Sequence, residues 1–149
     1  MKRIFAFLLL ALFCSVPAFA TGNKFVADDV LDAALTKVAT ATRMTACSAL
    51  PANFAGIAAV VKANEVLTAG VGGGDYTLAD GDASGRKVTV AAQTALTMTA
   101  NGTVTHLCLD DGTTLLACSP LAVDKTIVDY ATENWDTAAF DVEFADVTP

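Results

Sequence analysis

Few residues in this sequence have the types and spacing to do chemistry. His106 is the sole histidine, and Cys108 follows two positions later. Residues i and i+2 of a strand share a face, so an imidazole and a thiol would stand side by side. That is the minimum for a Cys–His nucleophile or for two ligands of a small metal site. No Cys-x-x-Cys or His-x-x-x-His spacing accompanies the pair, and a lone strand histidine is ordinarily a hydrogen-bonded structural residue. Asp80-Gly81-Asp82-Ala83-Ser84 places oxygens at alternate positions, as calcium loops do. The twelfth position of such a loop requires a bidentate Glu, and here it is Ala91. Turn-forming Asp and Gly explain the stretch more simply. The glycines of 70–74 resemble a phosphate cradle, but no Lys-Ser/Thr follows them, which excludes a P-loop. Gly-x-Ser-x-Gly is absent, and with it the common esterase elbow. Trp135, between Asn134 and Asp136, reads as an aromatic plug at one end of a β-fold in preference to a ligand-stacking face. The expectation is a non-enzyme with no catalytic, cofactor-binding or metal-ligating residues.

The elements that would position these residues begin after a distinct start. Met1-Lys2-Arg3 is basic, Ile4 to Phe13 is an unbroken apolar run, and Ala18 and Ala20 supply small residues. Residues 1–20 therefore read as an export leader, cut after Ala20. Cys14 is a poor lipidation site because bulky Phe13 precedes it. Cleavage leaves 21–149 as one domain, with seven basic against sixteen acidic side chains and a net charge of about −9. Such a charge argues against nucleic acid. No later apolar run approaches the ~20 residues of a membrane span, so no membrane contact is expected after cleavage. Cys47, Cys108 and Cys118 remain, and an odd number cannot all pair within one chain. Cys108 and Cys118 flank Asp110-Asp111-Gly112-Thr113-Thr114. A three-residue loop over 112–114 would set the two cysteines opposite each other. A two-residue loop over 111–112 would set Cys108 against Leu115. Cys108 and Cys118 are thus the disulfide candidates and Cys47 the free-thiol candidate.

Helical spacing runs from Phe25 to about residue 40, with Val26, Val30, Leu31, Ala34, Leu35 and Val38 on one stripe. Asp28, Asp29 and Asp32 sit near its front and Lys37 near its back, as the helix dipole prefers. Thr42 to Cys47 reads as a first strand. Residues 53–69 fit a helix and strands equally. From Arg86 onward alternation dominates. Ala95–Ala100 and Thr103–Leu109 flank Asn101-Gly102, the strongest short hairpin signal. Further strands are expected over 115–118, 125–130 and 139–144. One helix followed by many short strands predicts a mainly β protein, an antiparallel β-sandwich of Ig-like or jelly-roll-like type with one N-terminal helix.

Several stretches carry a resemblance. Phe25-Val26-Ala27-Asp28-Asp29-Val30-Leu31-Asp32-Ala33-Ala34-Leu35, the run from Ala41 to Thr45 with Cys47-Ser48, the run from Ala79 to Val90, Thr103 to Leu107, Leu115-Leu116 and Asp141 to Asp146 resemble small proteins encoded in tailed-phage and prophage structural-gene clusters. The resemblance covers nearly all of 25–149, with a poorer fit at 53–75, and it does not extend to Cys108 and Cys118. It implies a non-enzymatic virion-associated component of decoration or tail type, whose partners are other copies of itself or a capsid or tail surface. It carries no catalytic residues to this chain. The leader reading points instead to an exported periplasmic or extracellular binding module, with strand ends and the loop 68–85 as its contact surface.

Overall fold

The structure is a computed structural model and describes residues 26–145. The leader at 1–20 and Phe25 at the head of the expected helix lie outside the described residues. The fold is mainly β, with a five-stranded and a three-stranded antiparallel sheet. In chain order the elements are α1 (Asp28–Val38), β1 (Arg43–Cys47), a 3-10 turn (Phe54–Gly56), α2 (Ile57–Val60), β2 (Val61–Val66), β3 (Tyr76–Asp80), β4 (Arg86–Val90), β5 (Thr97–Met98), β6 (Gly102–Asp110), β7 (Leu115–Ile127) and β8 (Phe140–Phe144). The larger sheet runs β5-β2-β1-β6-β7 and the smaller β3-β4-β8. A β-sandwich is consistent with this layout.

Acidic Asp28 and Asp29 occupy the first turn of α1 and Lys37 its last, each at the dipole end that favours its charge. The helix buries Leu35 and Val38 in the main core, while Val30 is exposed. The inward face is therefore narrower than the apolar spacing implied. Arg86 of β4 holds the helix laterally, its Nε donating to Asp32 at 2.6 Å. Met44 and Ala46 of β1, Leu107 and Leu109 of β6 and Val88 and Val90 of β4 meet in one core. Tyr76 is buried there, and its hydroxyl donates to the Ala41 carbonyl at 2.9 Å, satisfying the one polar atom this ring brings inside.

Three expectations fail at the level of pairing. Asn101-Gly102 does not turn a hairpin: β5 pairs with β2, through Ala63–Met98 and Asn64–Thr97, and β6 pairs with β1 and β7. Gly102 has φ 133°, but Asn101 is not among the positive-φ residues, so the two-residue turn that needs both is not formed. The separate strands expected at 115–118 and 125–130 are one long strand, β7, with a wide bulge. Between the pairs Val104–Lys125 and His106–Pro120, the residues Leu121 to Asp124 stand against Thr105 alone. Finally, neither short loop joins β6 to β7. Asp110 pairs with Leu115 around the four residues 111–114, and one shift of register beyond it sets Cys108 opposite Cys118.

Candidate functional site

His106 and Cys108 lie on the face of the larger sheet that looks away from the main core. Register places Cys47 of β1 directly opposite His106, and Thr45 opposite Cys108. Cys47, Cys108 and Ile57 form a second, smaller cluster, closed by Phe54, Val60, Val61, Leu115 and Cys118. The 3-10 turn and α2 supply its cover because Asn53 accepts from the Gly56 N–H at 3.0 Å and starts a turn that folds the apolar segment back onto the sheet.

This geometry does not assemble a nucleophile. Cys108 and Cys118 are joined in a disulfide, with Cα atoms 4.1 Å apart, the close spacing of a non-hydrogen-bonded antiparallel pair. The Cys108 sulfur is therefore committed. Cys47 is the free thiol among the described residues and is fully buried. Burial, and then the charge of Asp110, push its thiol up to about 11, the opposite of the lowering that activates a cysteine. Its S–H points to the Thr45 carbonyl, 3.8 Å away. The imidazole of His106 bonds through Nδ1 to the Thr105 hydroxyl at 2.7 Å. The Cys47–His106 juxtaposition across β1 and β6 could not be read from the sequence, since it depends on which strands pair.

The other sequence candidates are structural in their placement. Residues 80–85 turn β3 into β4: the Gly81 N–H donates to the Gly85 carbonyl at 2.9 Å. Asp80 pairs with Arg86, and Asp82 with Lys87, so both carboxylates face cations of the same hairpin. A side chain at residue 81 would run into the Ser84 carbonyl and the Glu143 carboxylate, which is why glycine sits there. Lys87 also reaches Asp141 of β8 at 3.0 Å, and the Thr89 hydroxyl donates to Asp141 at 2.6 Å. These bonds hold the Asp141 carboxyl below the usual range, the Thr89 bond foremost. In the glycine-rich loop, Asp75 accepts from the Thr68 N–H at 2.7 Å, closing the loop on itself. No group of three or more His, Cys, Asp or Glu side chains among the described residues could hold a metal ion.

A buried carboxylate does occur, at the other end of the His106 face. Asp110 is fully buried. Arg43 grips it twice, through Nε to Oδ2 at 3.0 Å and Nη2 to Oδ1 at 3.0 Å, and the Gly112 N–H donates to it at 3.0 Å. The Arg43 guanidinium also lies 5.8 Å from the centre of the Phe54 ring, within cation–π range. Asp110 is thus fully partnered and anchors the β6–β7 turn to β1.

A further concave surface lies elsewhere. A groove of about 570 Å³ opens between the bulged stretch of β7 and the segment 135–140 that leads into β8. Its floor is apolar, with Leu107, Leu121, Trp135 and Phe140, and Val123 and Asp124 stand on its rim. β7 and β8 are each the last strand of their sheet, so the groove follows an unclosed side of the sandwich. Trp135 is only half-buried, packs against the main core and lines the groove as well. It therefore plugs the core, as expected, and also faces outward. Its segment is laced to residues 93–96: the Leu96 N–H donates to the Trp135 carbonyl at 2.9 Å and the Ala95 N–H to Asp136 at 2.7 Å. The sequence missed this surface because Leu121 to Asp124 read as a connection, not as a bulge within a strand. Val123 is 82 % exposed, and further along the chain Val128 is 75 % and Tyr130 50 % exposed.

No family model, no curated protein and no solved structure matches this chain. No helix among the described residues is long and apolar enough to cross a membrane.

Proposed function

We propose that this chain is a non-enzymatic structural or surface-interaction protein, of the virion-associated type it resembles, that works through repeated contacts between copies of itself. The observation that carries this reading is the apolar groove at the unclosed side of the sandwich, with exposed Val123 in its lining, while Val128 and Tyr130 are exposed further along the chain. Exposed apolar surface of this kind marks interaction sites. The committed Cys108 sulfur and the unactivated Cys47 thiol support the non-enzymatic part.

Sedimentation velocity over a range of concentrations tests it. The purified chain should self-associate, and Val123→Asp should weaken that association. Burying one valine is worth about 1.5–3 kcal/mol, so the dissociation constant should rise roughly tenfold to a hundredfold. A chain that stays monomeric throughout, or a V123D variant that associates as tightly as the parent, overturns the reading.

A second reading, an exported periplasmic or extracellular binding module, is favoured by one observation, the Cys108–Cys118 disulfide. Such bonds persist in oxidising compartments and are rare in the cytosol. Mass spectrometry of cell fractions and of phage particles separates the two. A mature N-terminus at Thr21 outside the cytoplasm favours export, and recovery in particles with residues 1–20 attached favours the virion.

A further inference from the structure

We propose that Asn101 is a site of spontaneous covalent modification, losing its side-chain amide through cyclisation onto the backbone nitrogen of Gly102. The chain has asparagines at 23, 53, 64, 101 and 134, and only Asn101 precedes glycine. That glycine is imposed by the fold. Its φ is 133°, a conformation that side chains rarely adopt, and a Cβ there would stand 3.1 Å from Cε of Lys62. The structure thus requires beside Asn101 the one residue with no Cβ to hinder approach of its nitrogen.

Asn101 is itself exposed, so water and hydroxide reach it. Its Oδ1 accepts a hydrogen bond from the Tyr130 N–H at 2.8 Å. A backbone donor on that oxygen polarises Cγ, and it stabilises the negative charge that develops there during attack. Gly102 begins β6 opposite Ile127, and the fold sets beside Asn101 a nitrogen with no Cβ to screen it and an amide whose oxygen accepts one hydrogen bond.

The chemistry balances with water alone. Solvent base takes the Gly102 amide proton, and the nitrogen attacks Cγ of Asn101. The Cγ–Nδ2 bond breaks, and Nδ2 leaves as ammonia after gaining a proton from solvent. The resulting five-membered succinimide is opened by water at either carbonyl, which gives aspartate or isoaspartate. Each product adds a negative charge beside Lys62. Isoaspartate also lengthens the main chain between β5 and β6 by one carbon and draws the acceptor away from Tyr130. The modification thereby loosens the 128–133 turn, which Asn101 holds through Tyr130.

Peptide mass spectrometry of the aged, folded chain tests the proposal. The mass change of an amide-to-acid exchange should appear in the peptide containing Asn101, faster at higher pH, while Asn53, Asn64 and Asn134 stay intact. The rate should lie within about tenfold of that of the same chain unfolded in urea, a barrier difference of no more than about 1.4 kcal/mol. Asn101→Gln should remove the change. A folded chain that keeps the Asn101 amide while the unfolded chain loses it overturns the proposal, because the fold would then protect the site. Sedimentation of the parent chain reports self-association separately, so a parent chain that is monomeric yet still modifies overturns the contact reading alone.

Discussion

Reducing the Cys108–Cys118 bond should cost this fold about a fifth to a half of a typical small domain's stability. The bond closes a loop with a sequence separation of 10. Removing that closure from the unfolded chain is worth about 2.7 kcal/mol in the chain-entropy treatment, against the roughly 5–15 kcal/mol of an ordinary domain. Reduction is a cleaner perturbation than replacement, because both sulfurs stay in the cluster with Cys47 and Ile57 and no cavity opens. Urea unfolding with and without a phosphine reductant, followed through the single Trp135, measures the difference. In a thermal melt the same loss should lower Tm by roughly 8–11 °C. A Cys47→Ala variant should show the same drop on reduction, since Cys47 takes no part in the bond. A loss below about 1 kcal/mol would refute the reasoning. It would mean that the 111–114 turn, where Asp111 accepts from Thr113 and Thr114, already holds the cysteines together in the unfolded chain.

Arg43→Met should be strongly destabilising, because it leaves the buried Asp110 carboxylate with the Gly112 N–H and the distant Thr45 hydroxyl. Breaking a buried pair costs about 3–5 kcal/mol. The Arg43 side chain is 39 % exposed, so solvent screening reduces the expected loss to about 2–4 kcal/mol; a urea midpoint that hardly moves would contradict it. Alkaline pH should also weaken the fold. Burial raises Cys47 from 9.0 to about 11, so the folded state favours the neutral thiol. That contribution is complete below pH 9 and is lost as pH rises towards 11, to the extent of about 2–3 kcal/mol. Tyr76 is raised in the same sense, by burial first, and its share begins to fall above pH 10. Unfolding free energies of the parent and of Cys47→Ala across this range should therefore diverge in slope, and equal slopes would count against the buried-thiol account.

Local pattern made much of this protein legible. The acids at the front of α1, the lysine at its back and the alternation of β4 follow from forces between near neighbours; in β8 the alternation expected to turn Phe140, Val142 and Phe144 inward holds for Phe140 and Val142, whereas Phe144 is exposed. The opposition of Cys108 and Cys118 was also within reach, although by a loop and a register shift that neither simple turn contained. The Asn101-Gly102 signal failed for a different reason. It reports what two residues prefer in isolation, whereas β5 gains more by pairing with β2 and extending the larger sheet. Val30 likewise fits the helical stripe yet faces solvent, because the sheets reach only part of the helix.

By itself, then, the sequence determined the acidic charge and the types of most elements outside 53–69, because periodicity and composition are set within a few residues. Tertiary structure alone decided that Cys47 faces His106, that Asp110 is buried under Arg43 and that β7 bulges to open a groove beside Trp135. Those outcomes depend on pairings between strands far apart in the chain, whose energies appear only when the sheets come together.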